Sequence, residues 1–118
     1  MKILIVDDNP KIRHLIRSLL ETQLTEVEKI FECNNGLEAL DLFEKNLPEW
    51  VLMDIAMEPL NGFTASESIV KSHPDTKIVF VTQYDEYMYR EEARKLGARA
   101  YVLKENLLDI PGLIRNML

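Results

Sequence analysis

The sequence contains a single cysteine and no long apolar run, and each shortage excludes a class of protein. Cys33 is the only cysteine among 118 residues. A lone cysteine cannot form an internal disulfide or supply a cysteine-based zinc site, so we expect a reducing, cytoplasmic setting. No segment approaches the roughly 20 apolar residues of a membrane-spanning helix. The apolar run near the N-terminus is too short for a signal peptide, so no membrane association is expected.

Basic residues are also in the minority. The chain has 14 lysines and arginines against 20 aspartates and glutamates, a net charge of −6. Sequence-independent binding of nucleic acid requires a basic face, so we do not expect this chain alone to bind DNA. Its length and its 47% hydrophobic content are those of a soluble globular domain. We therefore expect one domain over residues 1–118, folded without a disulfide or structural metal.

Short apolar segments alternate with helical patterns along the chain. The second predicted helix begins at Gly36 and would turn Leu37, Leu40, Phe43 and Leu47 inward. Five alternations of this kind predict a parallel sheet, covered on both faces by helices in right-handed crossovers. The predicted strands lie near residues 3–6, 27–33, 50–55, 77–82 and 99–103, and the other helices begin near residues 10, 63, 85 and 107.

Polar side chains stand where four of these strands end. Asp7 and Asp8 follow the first strand, Asp54 lies at the end of the third, Thr82 ends the fourth, and Lys104 follows the fifth. In such folds ligands bind outside the carboxyl ends of the strands. We therefore expect three carboxylates, one hydroxyl and one ammonium to lie at the same edge of the sheet.

Taken singly, each of these residues has an ordinary explanation as a cap, a strand residue or a solvated charge. Together they predict a phosphoryl-transfer site. Three adjacent carboxylates repel one another unless a cation lies between them, and Mg²⁺ prefers carboxylate, water and phosphate oxygens. A metal, an ammonium and a hydroxyl stabilise a transferring phosphoryl group. Asp54, which projects from the centre of the predicted sheet, is the candidate nucleophile and would form an acyl phosphate.

Four segments resemble the receiver domain of bacterial two-component response regulators. They are "VDDN" at 6–9, "MDIAMEPLNG" at 53–62, "VFVTQYD" at 79–85 and "LGARAYVLKEN" at 96–106. The resemblance covers essentially the whole chain. It implies a flavodoxin-like α/β fold, with five parallel strands in the order 2-1-3-4-5 and helices on both faces.

The resemblance also implies a role for each site residue. Asp54 is similar to the phosphoacceptor, and Lys104 to the counter-charge of the phosphoryl group. Thr82 and Tyr101 are similar to the hydroxyl and the aromatic side chain that move when the domain switches. The implied ligands of Mg²⁺ are Asp7, Asp8, Asp54 and the backbone carbonyl of Ala56.

The stretch "GARAYVLK" is similar to the LuxR/NarL branch of these regulators. That likeness implies a phosphorelay, with a sensor histidine kinase as partner and control of transcription through an effector domain absent from this chain. DNA would be reached only through that effector domain, and a homodimer is left open. Such a domain catalyses its own phosphorylation and dephosphorylation and is not an enzyme in the ordinary sense.

Two positions depart from the usual family pattern. Glu58 lies between Met57 and Pro59, where the family usually has Met-Pro, and it adds a negative charge near the site. Glu105 follows Lys104, where many members have a cis proline. A cis bond before a residue other than proline costs about 3–4 kcal/mol, so we expect a trans bond here.

Three alternatives belong to other classes. The first is a protein-binding module, either a stand-alone regulator without an effector domain or a pseudo-receiver that is never phosphorylated; the intact Asp54, Thr82 and Lys104 argue against the pseudo-receiver. An aspartyl-phosphate phosphatase of the haloacid-dehalogenase type needs an Asp-x-Asp motif after the first strand, which Asp7-Asp8-Asn9 lacks. A flavodoxin-type flavin domain needs a phosphate loop rich in serine and threonine at the same place.

Overall fold

The computed structural model describes residues 1–118 and contains one five-stranded sheet. All four strand pairs are parallel, and the strand order is β2-β1-β3-β4-β5. This confirms the predicted fold class. The strands are β1 (Lys2–Val6), β2 (Lys29–Cys33), β3 (Trp50–Met53), β4 (Lys77–Thr82) and β5 (Ala100–Leu103).

A helix follows each strand, and three of the helices are capped by the asparagine directly before their first residue. The side chains of Asn9, Asn35 and Asn61 each accept a backbone hydrogen bond of 2.9 Å in the first turn. Such caps satisfy amide groups that a helix leaves without partners. The helices are α1 (Pro10–Gln23), α2 (Gly36–Asn46), α3 (Gly62–Ser72), α4 (Tyr87–Leu96), a 3-10 helix (Lys104–Asp109) and α5 (Ile110–Asn116).

Alternating strand residues divide the core into two layers. Ile3 and Ile5 of β1 pack with α1 and α5, whereas Leu4 and Val6 pack with α2, α3 and α4. This is the period of two that a strand buried on both faces requires. The helices cover both faces and leave the carboxyl ends of the strands open. None of them is both long enough and apolar enough to cross a membrane.

The inward face predicted for α2 was partly wrong. Phe43 is buried, but Leu37 and Leu47 are 58% and 52% exposed. Leu37 lies in the first turn of α2, and Leu47 lies beyond its last residue with a left-handed backbone (φ 46°). The residue that ends the helix therefore turns away from the face on which its spacing would place it.

Candidate functional site

Three carboxylates meet at the carboxyl edge of the sheet, as predicted. Asp7 and Asp8 follow β1, and Asp54 follows the neighbouring strand β3. One oxygen of each lies within 4.8 Å of the others. Asp7 is 1% exposed and Asp54 4%, whereas Asp8 faces solvent. Two of the three charges are therefore held where water screens them poorly.

Lys104 is the cation of this cluster. Its Nζ lies 3.0 Å from Asp7 Oδ2 and 3.5 Å from Asp54 Oδ2. Burial alone would lower the pKa of Lys104, but its contacts with the two carboxylates raise it above the ordinary value. The ammonium is therefore held in its charged form. The trans peptide bond predicted after Lys104 is confirmed.

The buried carboxyls are not fully compensated by this one ammonium. Burial raises the pKa of Asp7, against the opposing hydrogen bond from the Asn9 amide and the charge of Lys104. Burial and the charge of Asp7 raise the pKa of Asp54 to about 6, although Lys104 opposes the shift. Asp7 Oδ2 is buried, and its one close partner is the Lys104 ammonium, which Asp54 Oδ2 shares. A buried oxygen with only a shared partner, beside two further carboxylates, fits a hard divalent cation such as Mg²⁺.

The loop between Asp54 and Gly62 is held against the end of β3. The Gly62 amide donates to the Ile55 carbonyl at 2.8 Å. A Cβ at Gly62 would lie 1.8 Å from the Asp54 carbonyl oxygen, so glycine is needed for this approach. The bond between Glu58 and Pro59 is cis. The contacts of Gly62 close the loop onto α3, and the Glu58 side chain is exposed at the rim of the loop.

A small cavity opens beside Asp54. Its volume is about 300 Å³. Asp8, Asp54 and Lys104 line it together with Asn9, Ala56, Gln83 and Tyr84, whereas Asp7 does not. Neither Asn9 nor Gln83 was predicted as a site residue, because a single polar residue in a loop carries no periodic pattern. Of the acids near β1 and β3, Asp54 is thus the buried one that a small ligand can reach.

Thr82 and Tyr101 are joined to each other through Tyr84. The Thr82 side chain is fully buried, and its Oγ1 accepts from the Tyr84 amide at 3.2 Å. The Tyr101 hydroxyl donates to the Tyr84 carbonyl at 2.6 Å. Burial raises the pKa of Tyr101 to about 12. The two residues predicted to switch therefore contact the same peptide segment after β4.

This fold and site define an α/β domain with an acidic pocket, suited to bind a divalent cation, at the carboxyl edge of its sheet. The family model of the response regulator receiver domain matches residues 3–112. The chain belongs to this family. The result confirms the resemblance seen in the sequence and decides for a receiver domain over the dehalogenase and flavodoxin alternatives.

Relatives and solved structures agree with this family. The chain is 37% identical over 105 residues to the uncharacterized transcriptional regulatory protein YhcZ of Bacillus subtilis, covering 89% of this chain and 49% of that protein. It is 35% identical to the oxygen regulatory protein NreC of Staphylococcus carnosus, covering 88% of this chain and 48% of that protein. The chain thus spans about half the length of the curated relatives it matches.

Among solved structures, a LuxR-family DNA-binding response regulator from Staphylococcus aureus superposes with a TM-score of 0.89. The identity is 28%, with 98% of this chain and 96% of that chain covered. The receiver domain of the Arabidopsis thaliana histidine kinase CKI1, complexed with Mg²⁺ and BeF₃⁻, superposes with a TM-score of 0.85. Its identity is 25%, with 98% of this chain and 88% of that chain covered. The receiver fold is therefore shared over nearly the whole chain.

Proposed function

We propose that this receiver domain accepts a phosphoryl group on Asp54 from a phosphohistidine of a sensor histidine kinase. The observation that carries the proposal is the position of Asp54, which is 4% exposed yet lines the cavity that also contains Asp8 and Lys104. In the transfer, a carboxylate oxygen of Asp54 forms a bond to phosphorus while the P–N bond of the phosphohistidine breaks. The imidazole leaves with the electron pair of that bond and takes up a proton.

The residues around Asp54 are placed to stabilise the phosphoryl group during its transfer. Lys104, 3.5 Å from Asp54 Oδ2, is placed to face the oxygens of an arriving phosphoryl group. Asp7, Asp8, Asp54 and the Ala56 carbonyl would hold Mg²⁺, which when bound neutralises charge on the phosphoryl oxygens. The closeness of the three carboxylates, which share Lys104 as their one neighbouring cation, supports this ligand set. The Mg²⁺ in the similar CKI1 receiver domain is consistent with it.

Because the site contains its own catalytic groups, the domain would catalyse its own phosphorylation from a small donor and also its own dephosphorylation. The test is mass spectrometry of the protein incubated with acetyl phosphate and Mg²⁺, with peptide mapping of the modified residue. One added phosphoryl group on Asp54 is the expected result. No modification under saturating donor would instead favour the pseudo-receiver alternative, in which the domain only binds proteins.

Phosphorylation would be read out at the face formed by α4 and β5. If the Thr82 hydroxyl turns toward a phosphoryl oxygen, its hydrogen bond from the Tyr84 amide is lost. The Tyr84 carbonyl holds Tyr101, so a shift of this segment would be passed to β5. In the whole protein, this change would control transcription through an effector domain that binds DNA. We place the protein in the cytoplasm and leave a homodimer open.

Mg²⁺ is expected to stabilise the fold by relieving repulsion among the three carboxylates. Millimolar Mg²⁺ should raise the melting temperature of the wild-type protein, measured by calorimetry. Asp8→Ala removes one like charge from the cluster, so it should raise the melting temperature without metal and abolish most of the response to Mg²⁺. The control Glu67→Gln removes an exposed charge on α3 and should retain the full response. A wild-type protein indifferent to Mg²⁺, together with no gain in Asp8→Ala, would refute the repulsion argument.

Tyr84 is expected to set the lifetime of phospho-Asp54. Its side chain is half-buried and lines the cavity, where it would restrict the approach of the hydrolytic water, whereas the methyl group of Ala56 can neither orient nor block one. Tyr84→Ala should therefore shorten the lifetime by up to about tenfold, or ~1.4 kcal/mol of barrier, with Mg²⁺ affinity nearly intact.

The lifetime is measured by following the loss of the phosphorylated mass after the donor is removed. Tyr84→Phe keeps the bulk of the ring and should decay like the wild type. Tyr87→Ala, at a site 75% exposed on α4, is the surface control. An unchanged decay in Tyr84→Ala would mean that the ring does not shield the phosphoryl group.

A further inference from the structure

Arg13, on α1, joins the edge strand β2 to the acid pair that follows β1. Its Nη1 donates to the backbone carbonyl of Asp7 at 2.6 Å, and its Nε donates to Glu32 Oε1 at 3.1 Å. The Arg13 and Glu32 side chains are only 19% and 26% exposed. A guanidinium presents several donors in a planar fork, so it can hold two acceptors in fixed directions at once.

The carbonyl that Arg13 holds belongs to the peptide bond between Asp7 and Asp8. The rest of Asp7 is fixed by other bonds: its amide donates to the Cys33 carbonyl, and its Oδ1 accepts from the Asn9 amide. Asp8, in contrast, faces solvent. The orientation of this peptide bond sets the direction in which the Asp8 carboxylate leaves the chain. Arg13 is thus the side chain that can keep Asp8 directed toward Asp7 and Asp54.

Arg13 contacts the backbone of the acid pair, and its ion-pair partner is Glu32. The pKa of Asp7 and that of Asp54 are shifted by burial and by the charges of the cluster, with Lys104 as the opposing cation. The contact of Arg13 is with a backbone carbonyl and with Glu32, which partly neutralises it. A role for Arg13 at the site is therefore geometric.

We propose that Arg13, held by Glu32, is a positioning residue for the metal-binding acid pair, and that it does so by fixing the Asp7–Asp8 peptide bond. The inference rests on the proposed function, since it assumes that Asp8 is a ligand of Mg²⁺. Residues that orient metal ligands typically change metal affinity by 10- to 100-fold when they are replaced.

The chain contains a matched control for this proposal. Arg17, one turn further along α1, donates its Nε to the other oxygen of Glu32 and its Nη2 to the Ile30 carbonyl at 3.2 Å. It therefore makes the same type of bridge between α1 and β2, with no contact to Asp7. Replacing either arginine removes one charge and one such bridge, but only Arg13 is connected to the acid pair.

The test compares Arg13→Gln with Arg17→Gln in the intact chain. Arg13→Gln should weaken Mg²⁺ binding, measured by calorimetric titration, by about tenfold or more, whereas Arg17→Gln should stay within about twofold of wild type. Arg13→Lys keeps the charge but loses the fork and should not restore the affinity. Equal affinities in Arg13→Gln and wild type, or equal losses in the two glutamine variants, would overturn the proposal.

A second measurement does not depend on the metal. Amide hydrogen exchange and ¹⁵N relaxation of Asp8 and Asn9, in metal-free protein, should show greater mobility in Arg13→Gln than in Arg17→Gln. Unchanged mobility at Asp8 would contradict the positioning role even if Mg²⁺ affinity fell. Failure of the wild type to bind Mg²⁺ would instead refute the proposed function, and the mobility of Asp8 would still decide whether Arg13 orders the peptide bond.

Discussion

The Asp54→Asn variant is expected to take up no phosphoryl group from acetyl phosphate and Mg²⁺. An amide is a poor nucleophile and cannot form the acyl phosphate. The substitution is otherwise mild, because the asparagine Oδ1 can still accept the Ile55 amide that now donates to Asp54 Oδ1 at 2.9 Å. It also removes a buried carboxyl group, whose pKa is raised to about 6 by burial and by the charge of Asp7. The fold should therefore survive while the modification is lost.

Two controls separate this loss from a general effect. The melting temperature of Asp54→Asn without metal should equal or exceed that of the wild type, since one repelling carboxylate has gone. Asp85→Asn replaces an exposed aspartate after β4 and should be modified like the wild type. Stoichiometric labelling of Asp54→Asn would show that another residue is the acceptor.

Lys104→Ala is expected to separate phosphorylation from its conformational consequence. The ammonium lies between Asp7 and Asp54, where it would bind a phosphoryl oxygen once Asp54 is modified. In the variant, bound Mg²⁺ would offset the negative charge of the carboxylates in place of the ammonium. With Mg²⁺ the variant should therefore remain folded and still accept a phosphoryl group, at a reduced rate. The phosphorylated variant should fail to show the wild-type change at Thr82 and Tyr101.

The response is measured from the NMR chemical shifts of Thr82, Tyr84 and Tyr101 before and after phosphorylation. The extent of modification is determined by mass spectrometry on the same samples, so an absent shift cannot result from absent phosphate. Lys95→Ala, on the exposed face of α4, is the control for the loss of a surface charge and should respond fully. A wild-type response in phosphorylated Lys104→Ala would contradict the assigned role of the ammonium.

The convergence of the candidate site could be predicted from the sequence for a topological reason. In a parallel sheet every strand ends at the same edge, so residues that directly follow strands become neighbours however far apart they are in the chain. Asp7, Asp54 and Lys104 are such residues, and the structure places the Lys104 ammonium within ion-pair distance of both carboxylates. Their roles in phosphorylation are predictions that the variants Asp54→Asn and Lys104→Ala test.

The exposure of residues at helix ends, and the point at which a helix begins, could not be predicted from the spacing of apolar residues. Leu37 and Leu47 share the period of the buried Phe43, but the first turn of α2 and the left-handed residue after its end leave both exposed. The segment after β5 begins as a 3-10 helix at Lys104, before the helix predicted from about residue 107. Local turns of this kind depend on what the segment packs against.

The sequence by itself determined the alternation of strands and helices, the edge on which the acids meet, and the family. Those properties follow from periodicity and from the order of elements. Only the tertiary structure decided that Asp54 reaches the cavity and Asp7 does not, and that Tyr84 connects Thr82 to Tyr101. It also decided that Arg13, held by Glu32, bonds directly to the Asp7 carbonyl. These are contacts between individual side chains of different elements. Arg13 and Glu32, for example, are 19 residues apart in the sequence. Their geometry depends on packing in three dimensions, which no one-dimensional pattern encodes.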